Sequence, residues 1–165
     1  MKNEGYSPTW PLLFSYRGPV FGNGFLAHVD MCGKLLARVE TEGIWFDGVN
    51  PGAFAVGAPT LEAASRIVTE ALTKVLIDFA ESADSFLSFK TTAERFYNQT
   101  DADTVGEWDW AVEAVKQGVM PIPAGLPRTP SGWQCGIQIV EKTLEEITPH
   151  DNAPVSDTRQ LAAAA

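Results

Sequence analysis

The sequence is poor in the residues that most catalytic and metal-binding motifs need. It has two cysteines and two histidines among 165 residues. Cys32 and Cys135 stand 103 residues apart, with no Cys-x-x-Cys spacing, so neither a zinc ribbon nor a disulfide scaffold is expected. Basic residues are also scarce: 12 Lys and Arg against 21 Asp and Glu give a net charge of −9 and a pI near 4.6. That field repels phosphate backbones, so nucleic acid is not expected as a direct ligand and a basic protein or a cation fits better. No window of about eighteen apolar residues exists to span a membrane. The opening MKNEGYSPTWPLLF has no basic start followed by an apolar run, so no export signal is expected and a reducing cytoplasm is inferred. What the chain does contain is 45% hydrophobic and 10% aromatic residues, enough for one ordinary core.

Along the chain, residues 1–23 hold Pro8, Pro11, Pro19, Gly5, Gly18 and Gly22 between aromatics, and read as an irregular arm packed on the domain or on a second subunit. FLAHVDM (25–31) and KLLARVE (34–40) alternate apolar and polar residues like half-buried strands, with a turn at Cys32-Gly33 between them. Thr41-Glu42-Gly43 is a second turn, and GIWFDGV a third strand. In NPGAFAV, Pro51 and Gly52 suit the two central positions of a type II turn before a fourth, short strand. Gly57 and Pro59 end that strand, and Thr60 is placed to cap a helix.

The strongest element starts at Leu61. Ala64, Ile67, Val68, Ala71, Leu72, Val75, Leu76 and Phe79 repeat at the three-and-four spacing of one buried helix face. Two further helices are expected, with capping boxes at Thr91–Glu94 (or continuing a helix begun near Ser85) and at Thr104–Glu107; the second should stop at Gly118. A proline-rich loop over 120–132 leads to a late strand around Trp133, Cys135, Ile137 and Ile139. The tail, 148–165, reads as disordered. The fold class is therefore α+β: an antiparallel meander of about four strands, a long helix on one face, two further helices and a late strand, with one domain over 24–147.

The stretch 47–64, DGVNPGAFAVGAPTLEAA, resembles the HicB antitoxin family. The matching residues are Asn50, Pro51, Gly52, Gly57, Thr60, Glu62 and Ala64, and the resemblance covers about residues 34–82. It implies a degenerate ribonuclease H-like domain without catalytic carboxylates, and a partner of the HicA type, a small basic ribonuclease toxin. A chain of charge −9 suits such a partner, since opposite potentials speed encounter. The region after the late strand is too short and too poor in basic residues for a DNA-binding module.

Catalytic readings fare poorly against structural ones. His28 and Cys32 lie about 13 Å apart on a continuous strand, too far for a thiol dyad. Two remote histidines, His28 and His150, make no zinc site. Asp30, Asp47, Glu70 and Asp78 would have to converge for two-metal chemistry, and the two helical carboxylates point away from the sheet. The expectation is a non-enzymatic protein with no catalytic, cofactor-binding or metal residues and no cofactor. Trp45, Trp108, Trp110 and Trp133 are read mainly as core. Trp108 and Trp110 cannot both face inward on one helix, so an interface is expected around Trp10, Phe14, Trp108 and Trp110, with a homo-oligomer as the default. The alternative is a stand-alone oligomeric scaffold or a regulatory small-molecule-binding domain with no toxin partner.

Overall fold

The structure is a computed structural model that describes residues 9–121 and 135–143, and the backbone of 161–163. It is an α+β fold. One curled antiparallel sheet contains β1 (Thr9–Phe21), β2 (Leu26–Glu40), β3 (Gly43–Asn50), β4 (Ala55–Ala58), β5 (Gly136–Glu141) and β6 (Leu161–Ala163). Three helices, α1 (Leu61–Ser82), α2 (Phe86–Asn98) and α3 (Ala102–Lys116), follow β4 in sequence. The strand order is β4-β3-β2-β1-β6, and β5 also pairs with β2. β2 changes neighbour along its length: Ala27–Cys32 pair with β5, and Lys34–Glu40 with β3.

Alternation decides which layer each side chain joins. Leu12, Phe14 and Tyr16 of β1, with Leu35 and Ala37 of β2, are buried against α1 and α2. Leu13 and Leu36, one residue out of phase, point to the opposite face and pack under α3. The sheet is thus covered on both faces. Ala64, Val68, Leu72 and Leu76 of α1 are buried as their spacing predicts. Each fully buried leucine contributes roughly 1.5–3 kcal/mol. Thr60 caps α1 by accepting a hydrogen bond from the Ala63 N–H at 3.2 Å, and α3 gives way at Gly118, which takes φ +73°.

Several expectations are corrected. Residues 9–21 are not an irregular arm but β1, in unbroken register with β2 from Thr9↔Arg38 to Phe21↔Leu26. Pro11 and Pro19 have the same parity, so their missing N–H groups fall on one side of the strand and leave the other side free to form that ladder. The sheet therefore takes in residues read as part of the arm. Cys32-Gly33 is not a turn: β2 runs straight through it. Gly33 serves close packing, since a Cβ there would stand 2.3 Å from the Asn50 carbonyl oxygen and 2.4 Å from the Phe14 ring. Pro51-Gly52 is not a type II turn. The Asn50–Pro51 bond is cis and Gly52 has no positive φ. Gly52 instead lets the loop approach α2, with its N–H donating to the Gln99 carbonyl at 2.8 Å.

Ser85 caps α2, so of the two starts read for that helix the one near Ser85 holds, and Thr91–Glu94 lies inside it. Asp101, not Thr104, caps α3, because its carboxylate accepts from the Thr104 N–H at 3.0 Å. Part of the tail is ordered: Leu161–Ala163 form β6 on the outer edge of β1, opposite Leu12–Phe14. The unpaired backbone of that edge supplies the partner groups, whatever the side chains. Trp133, His150 and the rest of the tail lie outside the described residues. Gly106 sits inside α3 with open space where a Cβ would project. Gly106→Ala should therefore stabilise the chain by about 0.5–1 kcal/mol, seen as a higher urea midpoint.

Candidate binding face

The candidate site forms where α3 meets the β2–β3 ribbon. Trp108, Ala111 and Ala114 of α3 are buried against Leu13, Leu36 and Val49, and this seats the helix on the sheet. The Lys34 ammonium lies 5.5 Å from the Trp108 ring centre and closes one side of the contact. With that face buried, Asp103, Glu107, Asp109, Trp110 and Glu113 are left in solvent. Trp110 is 59% exposed. The Asp101 cap, with Thr104 donating from both N–H and Oγ1, has its carboxyl held below the usual range by the Thr104 hydrogen bonds. It adds another negative charge at the same helix end.

Beside α3 lies an open cleft of about 460 Å³. Leu36, Arg38, Asp47 and Gly48 form its floor, Gly52–Ala55 one wall, and Thr104 and Glu107 the other. Arg38 and Asp47 form an ion pair at 2.7 Å, and the Trp45 indole N–H donates to the second Asp47 oxygen at 2.9 Å. Asp47 is thus engaged at both oxygens and Arg38 is neutralised, which leaves Glu107 to give the cleft its negative sign. The arrangement suits a cationic side chain or amine laid over the sheet.

The wall is held from behind by α2. Asn50 donates through Nδ2 to the Tyr97 carbonyl at 3.3 Å, while the Tyr97 hydroxyl donates to the Cys32 carbonyl at 2.8 Å. Burial pushes the Tyr97 hydroxyl well above its ordinary value of 10.0, with Cys135 and Cys32 adding to the shift, and burial raises Tyr16 as well. Folding therefore favours the protonated phenols. Their contribution is intact below the unfolded value, near pH 10, and is lost as the pH rises toward the folded value. Stability should fall above pH 10 by up to about 1.4 kcal/mol per pH unit for each phenol, and Tyr97→Phe should flatten that slope in denaturation measured from pH 8 to 11.

The residues singled out from sequence scatter. Phe14 and Trp108 are core and take no part in a surface, which corrects their assignment to an interface. Trp10 is half-buried and donates its indole N–H to the Pro121 carbonyl at 3.0 Å. Of the four, Trp110 alone is largely exposed. Gly57 and Thr60 shape β4 and the start of α1. Glu62 is exposed on the first turn of α1 and Ala64 is buried there.

The carboxylates weighed for metal chemistry do not converge. Asp30 pairs with Arg17 at 3.0 Å, Asp47 with Arg38 and Glu70 with Arg66 at 3.1 Å, while Asp78 is exposed on α1. Among the described residues no group of three or more His, Cys, Asp or Glu side chains is placed to hold a metal ion. His28 and Cys32 remain four residues apart along one strand. No helix among the described residues is long and apolar enough to cross a membrane. The cleft escaped sequence reasoning because its floor and walls come from three separated segments. The acidic face of α3 was legible in ADTVGEWDWAVEAVK once the buried Trp108 set the phase. No family model, curated protein or solved structure matches the chain.

Proposed function

We propose that the chain is a non-enzymatic protein-interaction domain of the HicB antitoxin type, which captures a small basic protein on the outer face of α3. The observation that carries this reading is Trp110, 59% exposed and set among Asp103, Glu107, Asp109 and Glu113. An exposed indole within an acidic field has the makings of an anchor: the ring supplies apolar area, and the carboxylates set the sign of the partner. The β2–β3–β4–α1 succession has the element order that the resemblance at 47–64 implies. The net charge of −9 supports a basic partner through steering.

The partner to test is any small basic protein encoded by a neighbouring reading frame. Purified together, the two proteins should elute as one complex, and Trp110→Ala should weaken binding by at least about tenfold. Failure to bind, or a neighbourhood without a basic reading frame, would overturn the antitoxin reading. The cleft favours a second reading, a regulatory small-molecule-binding domain, because its volume of about 460 Å³ lies within the range of ligand pockets. A small cationic compound released when the purified protein is denatured would favour that reading. A second copy of the chain is the other candidate occupant of the Trp110 face, and it would appear as a dimer that Trp110→Ala dissociates.

A further inference from the structure

Cys32 and Cys135 are 103 residues apart in sequence, yet their Sγ atoms lie 3.0 Å apart. The approach is built into the sheet. Gly136, the first residue of β5, is the direct cross-strand partner of Cys32, so Cys135 enters the strand beside it. Cys135 packs on the α3 side of the sheet, the side to which Cys32 also points by parity with Leu36. The Cys32 backbone is fixed by the Tyr97 hydroxyl at 2.8 Å. Both thiols are half-buried, open to a small reagent but set back from the surface. Cys135 stands one residue before the strand partner of Cys32, and the two sulfurs need close by only about 1 Å to reach bonding distance.

We propose that Cys32 and Cys135 form a thiol modification site that a low-molecular-weight disulfide converts to an intramolecular disulfide. One cysteine thiolate attacks a sulfur of the small disulfide, forming a mixed disulfide and releasing one small thiol. The second cysteine thiolate then attacks the protein sulfur of that mixed bond and releases the other small thiol. The protein loses two electrons and two protons, and the small disulfide gains them as two thiols. The new bond ties the entry of β5 to the middle of β2 and closes a ring that includes β3, β4 and all three helices. In a reducing compartment the pair rests as the dithiol, and an oxidising shift closes it. This proposal does not depend on the identity of any partner protein.

The test uses the full chain, reduced, freed of reductant and incubated with oxidised glutathione. The product should be a monomer two hydrogens lighter, without retained glutathione, and peptide mapping should join Cys32 to Cys135. Closing so long a ring should raise Tm on the order of 10 °C, reversed by dithiothreitol. Cys32→Ser and Cys135→Ser should each abolish the mass loss and the Tm rise, leaving at most one glutathione adduct. Wild-type protein that keeps glutathione adducts, forms intermolecular disulfides or retains both thiols would overturn the proposal without reference to how the serine variants fold.

Discussion

Gly48→Ala is expected to destabilise the chain by about 3 kcal/mol or more. A Cβ on Gly48 would stand 1.9 Å from the Pro51 carbonyl oxygen and 2.9 Å from that of Phe54. Carbon and oxygen settle at about 3.3 Å or beyond, so the 51–54 loop would have to retreat by more than an ångström. Three hydrogen bonds oppose that retreat: Gly48 N–H to the Phe54 carbonyl at 2.7 Å, Gly52 N–H to the Gln99 carbonyl at 2.8 Å, and Asn50 to the Tyr97 carbonyl at 3.3 Å. Breaking them costs roughly 1 kcal/mol apiece, and keeping them leaves the collision in place. The expected result is a large fall in the urea midpoint with little change in slope. A loss below about 1 kcal/mol would show the loop to be compliant and the cleft wall movable.

Phe46→Ala is expected to cost about 3–5 kcal/mol. Phe46 is fully buried in β3, paired with Ala37 of β2 and Val56 of β4, on the face covered by α1. Ala37 opposite is too small to fill the space left behind, so the cavity persists and adds to the lost transfer energy. Trp45, the residue before it, points to the other face and is 38% exposed. Trp45→Ala should cost about 1 kcal/mol or less, although its side chain is the larger. Equal losses for the two variants would mean that the alternation of β3 is misassigned. Paired denaturation curves decide the matter.

How much of this architecture could be read from the residues depended on whether a side-chain pattern carried it. α1 was legible because Ala64, Val68, Leu72 and Leu76 recur at one spacing and Thr60 marks the start. β1 was not, although Leu12, Phe14 and Tyr16 alternate, because Pro11 and Pro19 spoke for irregular chain; neither interrupts the register with β2. The break assigned at Cys32-Gly33 took a glycine that packing demands for a glycine that a turn demands. Pro51-Gly52 repeats that confusion, since Gly52 is there to let the loop touch the Gln99 carbonyl. β6 has no side-chain signature, being three residues that take up a free edge. The candidate face was half legible. Helical phase separated Trp108 from Trp110, but the cleft and the Cys32–Cys135 contact arise only when distant strands meet.

The docking face proposed for a basic partner is the side of α3 that bears Trp110 and its flanking carboxylates. Hydrogen exchange of the chain, alone and mixed with any small basic protein encoded beside it, locates such a contact. Exchange should slow across Ala102–Lys116 and in the neighbouring 45–55 segment, and both effects should be lost together in the Trp110→Ala protein. Protection confined to the outer side of α1, or no protection anywhere, would contradict that docking face.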